Sequence, residues 1–191
     1  MKSNIIICGV GGQGIITLLR IIAQASLEEN LNVRTSELHG LSQRGGSVVV
    51  HIKIGSEVFS PLVMPNEADL IIALEIQESL NAVKYANKNT IFLINNHIIP
   101  IPGQNLSEEQ IKKELNKISK NIYLIDANKI IAEKYKNPVL SGVFLLGAAC
   151  SKKFISLSPS SFEKALVKII KPQYIDLNKK AFKFGLKFNP I

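Results

Sequence analysis

Cysteine is scarce in this chain. It has two, Cys8 and Cys150, in 191 residues. Both sit inside apolar segments, which suits small buried hydrophobes in a reducing compartment better than a disulfide framework. Two thiols cannot supply the four thiolates of an iron–sulfur cluster. With three histidines (His39, His51, His97) and no Cys-x-x-Cys, there is no zinc motif either. A redox metal must therefore sit on a partner. Tryptophan is absent, and the lysines are not interleaved with aromatics as in a base-stacking surface. No apolar run approaches the roughly 18 residues that cross a bilayer. Met1-Lys2-Ser3 leads directly into a strand-like run rather than toward a cleavage site. The expectation is a cytoplasmic protein that is neither membrane-spanning nor exported. Only 8 prolines, 46% hydrophobic residues and 20% charged ones exclude a disordered chain. The length suits one domain, residues 1–191.

What is present is mostly strand and helix in alternation. The net charge of +8 lies in the C-terminal part, where lysines recur at helical spacing among apolar residues and read as solvated helix faces. Asn4 to Gly9 is a short β-branched run suited to a strand buried on both faces. From Gly14 to about Glu29, Ile15, Leu18, Leu19, Ile22 and Ala25 trace a helical stripe. Asn32 to Ser36 predicts a second strand, and the polar stretch from Glu37 to Gly46 predicts a loop. Ser47–Ile54 and Val58–Ser60 flank Gly55-Ser56-Glu57 and predict an inserted hairpin. Strands follow at 68–74, 90–95 and 122–126, and helices at 76–86 and from a Ser107–Gln110 capping box to about Ser119. The run Val139–Cys150 is apolar all round, so as a helix it must be buried. Ser158-Pro159 starts a helix to about Lys171, and another runs from Pro172 to Phe184. The fold class is α/β: a Rossmann-like, mostly parallel sheet with helices on both faces and an inserted β-hairpin.

Two polar clusters carry candidate chemistry. Gly9-Val10-Gly11-Gly12-Gln13-Gly14 fits G-x-G-x-x-G between a strand and a helix, where glycines let the backbone turn tightly and approach a phosphate. Glu37 stands where a dinucleotide site wants an acid on the ribose. No Gly-Lys-Ser/Thr follows, which excludes a P-loop. Close strand–helix packing is the other reading of the same glycines. The second cluster runs from Ser36-Glu37-Leu38-His39-Gly40-Leu41 to Ser42-Gln43-Arg44-Gly45-Gly46-Ser47. It gathers a carboxylate, an imidazole, an amide and a guanidinium at the sheet edge where open α/β folds bind ligands. Arg44 can pair bidentately with phosphate or carboxylate, and Gly45-Gly46 admits close backbone approach. A hydrogen-bonded loop docked on another subunit fits equally.

These two strings, followed by Ser60-Pro61 and by Ala68-Asp69 to Leu74-Glu75, closely resemble the gamma domain of 2-oxoacid:ferredoxin oxidoreductases. The S-E-x-H-G-x-S-Q-R-G-G string is specific, whereas the glycine motif alone is weak. As a free-standing chain it is most similar to the beta subunits of the family's indolepyruvate (arylpyruvate) branch. The gamma subunit of a pyruvate or 2-oxoisovalerate enzyme is the nearest alternative. A self-contained NAD(P)-binding Rossmann enzyme and a basic nucleic-acid module stand further off.

The resemblance implies a coenzyme A-dependent oxidative decarboxylation that passes electrons to ferredoxin. It places thiamine diphosphate and the iron–sulfur clusters on a larger partner subunit in a heteromer, with no cofactor held firmly by this chain, no metal, no nucleic acid and no membrane. On this reading Gly9, Gly11, Gly12, Gly14, Arg44, Gly45 and Gly46 form the surface that meets the partner or receives the coenzyme A phosphates. Glu37 and His39 fix the loop and are weak catalytic candidates, and Ser42 and Gln43 add polar contacts. An imidazole such as that of His39 is of a type that permits acid–base work, without establishing it here.

Overall fold

The computed structural model describes residues 2–39, 45–100 and 106–189, excluding the side chain of His39. Six strands form one sheet in the order β2-β3-β1-β4-β5-β6. They are β1 Lys2–Val10, β2 Asn32–His39, β3 Ser47–Gly55, β4 Leu70–Ala73, β5 Ile91–Asn95 and β6 Ile122–Ile125. β1, β4, β5 and β6 run parallel. β3 runs antiparallel to both of its neighbours, β1 and β2. The α/β class and the mostly parallel sheet are as expected from the continuous apolar runs of β1 and β4, which are buried on both faces.

Among the described residues the α-helices are α1 Ile15–Glu28, α2 Glu108–Asn116, α3 Ala127–Tyr135, α4 Ser141–Ser151, α5 Pro159–Ile169 and α6 Ile175–Lys187. They divide unevenly over the sheet. The larger core packs Ile5 and Ile7 of β1 against α1, α3, α4, α5 and α6. The smaller core puts Ile6 and Cys8, on the opposite face, against α2 and a 3-10 helix, Gln77–Tyr85. This alternation along β1 is the period-2 rule of a strand with both faces covered.

Four expectations need correction. The hairpin exists, but its arms are β2 and β3, and Val58–Ser60 is not a strand. All nine residues of β3 pair with β1 on one edge while the other edge takes β2, so β3 is interior and offers no edge to a following arm. Strand two does not stop at Ser36. Glu37, Leu38 and His39 continue it opposite Val50, Val49 and Val48. β2 lies at the sheet edge, where polar, solvated residues are tolerated. The segment after Ile76 is 3-10 rather than α. Ser79 N–H and hydroxyl both bond the Ile76 carbonyl, at 3.2 and 2.6 Å, which holds the turn at three residues. Finally, α3 was not foreseen. It buries only Ala127 and Ile131 among its nine residues and starts at Asp126 without a side-chain cap, so neither stripe nor start signal stands out.

The Ser107–Gln110 capping box is present in both directions. Ser158 caps α5, with Pro159 at its first position. α4 buries all but the last of its residues.

Candidate functional site

The carboxyl ends of β1 and β4 diverge in connection: α1 carries the chain from β1 toward β2, while β4 leads the other way to β5. That is the switch point at which open parallel sheets hold ligands. The Gly9–Gly14 turn lies on it. A Cβ at Gly9 would stand 2.6 Å from Gln13 Oε1 and 3.1 Å from Leu74 Cβ, so this glycine is there for close approach. Gly12 and Gly14 have positive φ (106° and 82°), and a Cβ at either would meet nothing within 4 Å. They serve the backbone path and leave the surface open. Gly14 is the N-cap of α1, which has no side-chain cap and no acidic residue in its first turn. Among the described residues no side chain caps the first N–H groups of that helix, the end that favours an anionic acceptor.

The two polar clusters of the sequence meet through their backbones. Gly11 N–H donates to the Gly46 carbonyl at 2.8 Å, and Gly45 N–H to the Gly11 carbonyl at 3.4 Å. Ser47, the first residue of β3, donates its hydroxyl to Glu78 Oε2 at 2.5 Å, and Asn81 Nδ2 donates to the same oxygen at 2.9 Å. Glu75, at the end of β4, is buried. Its two carboxylate oxygens accept from Glu78 N–H at 2.8 Å and Ile99 N–H at 3.2 Å. Burial pushes the Glu75 carboxyl above its ordinary value and the nearby Glu78 adds to the rise, against the opposing pull of the backbone N–H bonds.

A groove of about 410 Å³ opens beside the turn, lined by Gly12, Gly14, Ile16, Thr17, Glu37 and Val48 among others. A smaller crevice of about 180 Å³ lies on the other side, at the switch point, between Gln13, Leu74, His97, Asn128 and Ser141. Gly12 borders both, and Gln13 lines the crevice. Its Oε1 accepts from Val10 N–H at 2.8 Å and its Nε2 donates to the Leu74 carbonyl at 3.3 Å. Asn95 Nδ2 donates to the same carbonyl at 3.0 Å and to Asn128 Oδ1 at 2.9 Å.

The structure thus brings Gly11, Gly12, Gly14, Gly45, Gly46 and Glu37 to one rim, whereas Gly9 is buried in β1 beneath Gln13 and Leu74. The backbone of His39 ends β2 at that rim, while Ser42, Gln43 and Arg44 lie outside the described residues. Sequence reasoning missed Gln13, Ser47, Glu75 and Glu78 as the groups that brace the rim. The signal available for Gln13 was a long amide inside a glycine motif; the carboxylates act across gaps that no local pattern marks. The arrangement also departs from a dinucleotide site. β3 stands between β1 and β2, so Glu37 is displaced from the glycine turn by one extra strand spacing of roughly 4.8 Å. The Gly11 N–H, moreover, already has the Gly46 carbonyl as its acceptor.

Among the described residues, no three His, Cys, Asp or Glu side chains gather in a way that could hold a metal ion. Cys8 and Cys150 lie in opposite cores. Burial pushes both thiols up, that of Cys150 to about 11 with a smaller push from Glu29, so neither is a ready thiolate. These residues do not fit an iron–sulfur cluster. No helix among the described residues is long and apolar enough to cross a membrane.

The sequence pattern of the pyruvate ferredoxin/flavodoxin oxidoreductases matches residues 4–188. The chain belongs to this family. Within it, the chain is 37% identical to the indolepyruvate oxidoreductase subunit IorB of Archaeoglobus fulgidus, over 97% of its own length and 94% of that chain. It is 23% identical to the common gamma subunit of the pyruvate/ketoisovalerate oxidoreductases of Pyrococcus abyssi, over 91% of its length and 89% of that chain. The family fold is seen in the 2-oxoglutarate:ferredoxin oxidoreductase of Magnetococcus marinus, solved with 2-oxoglutarate, coenzyme A and succinyl-CoA bound. The match has a TM-score of 0.74 at 19% identity and spans 97% of this chain and 30% of the longer one. This chain therefore corresponds in fold to one portion of that longer polypeptide.

Proposed function

We propose that the chain is the small subunit of an indolepyruvate-type 2-oxoacid:ferredoxin oxidoreductase, inactive until it joins a larger subunit. The observation that carries the reading is end-to-end similarity, at 37% identity, to a subunit named for indolepyruvate, against 23% for a pyruvate/ketoisovalerate subunit. The reaction consumes a 2-oxoacid, coenzyme A and oxidised ferredoxin and yields acyl-CoA, carbon dioxide and reduced ferredoxin. Thiamine diphosphate and iron–sulfur clusters on the larger subunit supply the carbon–carbon cleavage and the electron path.

The work of this chain is positioning. The glycine rim leaves open backbone at Gly12 and Gly14 beside the uncapped N-terminus of α1, which favours an anion such as a coenzyme A phosphate. Glu37 in the same groove disfavours a second phosphate and suits a hydroxyl or a partner's cation. Arg44 is assigned by its chemistry alone, a guanidinium suited to an anion or to a contact with the partner. No residue is assigned to the chemical step.

The test is co-expression with the thiamine-carrying subunit and assay against a panel of 2-oxoacids. Coenzyme A-dependent ferredoxin reduction, fastest with arylpyruvates, is expected. Preference for pyruvate or a branched-chain oxoacid would move the chain to the neighbouring branch. Turnover by the isolated chain, or failure to associate with such a partner, would overturn the reading. Arg44→Ala is expected to raise KM for coenzyme A or weaken the complex, and normal values for both reject its role.

A further inference from the structure

The Glu78 carboxylate is buried, which is costly unless its oxygens are bonded. It lies on the 3-10 helix Gln77–Tyr85 under the sheet end, away from the groove lining. Its partner is Ser47, the residue that follows Gly45-Gly46 and begins β3. Gly46 and Gly45 in turn exchange backbone bonds with Gly11. Glu75 fixes the near end of the 3-10 helix by accepting the Glu78 N–H, so the carboxylate above it has a set position. The result is an unbroken line of bonds from Glu75 through Glu78 and Ser47 to Gly46 and Gly11. A bond from a hydroxyl to a carboxylate is charge-assisted and stronger than the neutral bonds around it.

We propose that Glu78 is a positioning residue for the reaction: acting through Ser47, it locks Gly45-Gly46 onto the Gly11 turn and so sets the shape of the rim that receives the coenzyme A phosphates. This rests on the reading given under the proposed function. Glu78 holds no substrate itself. It fixes where Gly45-Gly46 meets the Gly11 turn, at the start of β3. Asn81, bonded to Glu78 Oε2 at 2.9 Å and to Ser47 Oγ at 3.2 Å, closes the triangle and keeps both groups in place.

The test uses Ser47→Ala and Glu78→Ala, alone and together, in the complex with the larger subunit. Loss of one bond to a charged group predicts about a tenfold rise in KM for coenzyme A, with kcat at saturating coenzyme A within twofold of wild type. The double variant is expected to be no worse than the worse single one, because both break the same link. In the full chain alone, hydrogen exchange at the Gly11 amide is expected to speed up about tenfold in either variant. An unchanged KM in both variants, a fall in kcat at constant KM, or additive effects in the double variant would overturn the proposal. A wild-type complex without coenzyme A-dependent turnover would instead sink the functional reading. The Gly11 exchange rate would then decide the positioning role by itself, with unaltered protection counting against it.

Discussion

Two sets of glycines in this protein do opposite things. Where α4 crosses α6, a Cβ at Gly147 would overlap the Phe182 carbonyl oxygen, and one at Gly185 would overlap that of Phe144. The backbones touch there, and the side chains of Phe144 and Phe182 are buried around the contact. At the β1–α1 turn, Gly12 and Gly14 have positive φ and empty space where a side chain would go. One set exists because something is already against the backbone. The other exists because the chain must turn, and it leaves room for something to arrive. A list of glycines in the sequence does not separate the two, whereas the space around each one does.

The sharpest way to break this comparison is to add a methyl group to each set. Gly147→Ala forces the α4–α6 pair apart against backbone atoms that cannot rotate away, so a loss of about 3 kcal/mol is expected. It is read as a drop in Tm, with KM for coenzyme A unchanged in whatever complex still assembles. Gly12→Ala meets no atom but strains φ, at a cost of about 1–2 kcal/mol. Its larger effect is expected on KM for coenzyme A, since the new methyl group occupies the open face of the rim. If Gly12→Ala lowered Tm as much as Gly147→Ala and left KM alone, the rim would be a packing feature and the open-site reading would fail.

Elements with strong local signals were legible in the sequence, and those set by distant partners were not. The buried runs of β1 and β4, the Ser107–Gln110 box and Ser158-Pro159 each carry their cause within a few residues. The hairpin was misplaced because only the sheet decides that β3 has two neighbours, leaving Val58–Ser60 nothing to pair with. The same division holds at the site. Glycine and charged strings marked the rim, and their meeting at Gly11–Gly46 was expected as a shared surface. The brace beneath it was invisible, because Ser47 and Glu78 are 31 positions apart and Gln13 and Leu74 are 61 apart. No periodicity links such pairs.

Helix α1 joins the two regions, starting at the open turn and ending on the core, and Glu29 tests whether they are independent. Its Oε1 accepts from Ser158 N–H at 2.6 Å and from the Ser161 hydroxyl at 2.8 Å, at the start of α5. Burial alone would raise its pKa, but the Ser158 and Ser161 bonds outweigh it and hold the carboxyl below its ordinary value. A depressed folded pKa means the unfolded chain binds the proton more readily. The contribution is therefore complete above the unfolded pKa of roughly 4.3 and fades as pH falls through the folded value. Glu29→Gln is expected to cost about 1 kcal/mol at pH 7, reduced by solvent screening, with less difference from wild type below the carboxylate range. Urea unfolding at the two pH values checks the sign. An accompanying change in KM for coenzyme A would show that α1 transmits strain from core to rim.

The smallest effect is expected where neither packing nor backbone path is at stake. Phe59 is 90% exposed on the segment after β3, whereas Phe182 is 1% exposed. Apolar stabilisation scales with area taken out of water, so Phe182→Ala should cost about 3–5 kcal/mol and Phe59→Ser less than about 0.5 kcal/mol. Thermal unfolding of the isolated chain at two protein concentrations separates intrinsic from associative stability. If Phe59→Ser lowered Tm only at the higher concentration, mass action would mean that a second copy covers the ring in solution. An equal drop at both would mean that the ring folds back onto its own chain. The contrast between exposed and enclosed aromatics would then fail, as it would for the glycines if Gly12 behaved like Gly147.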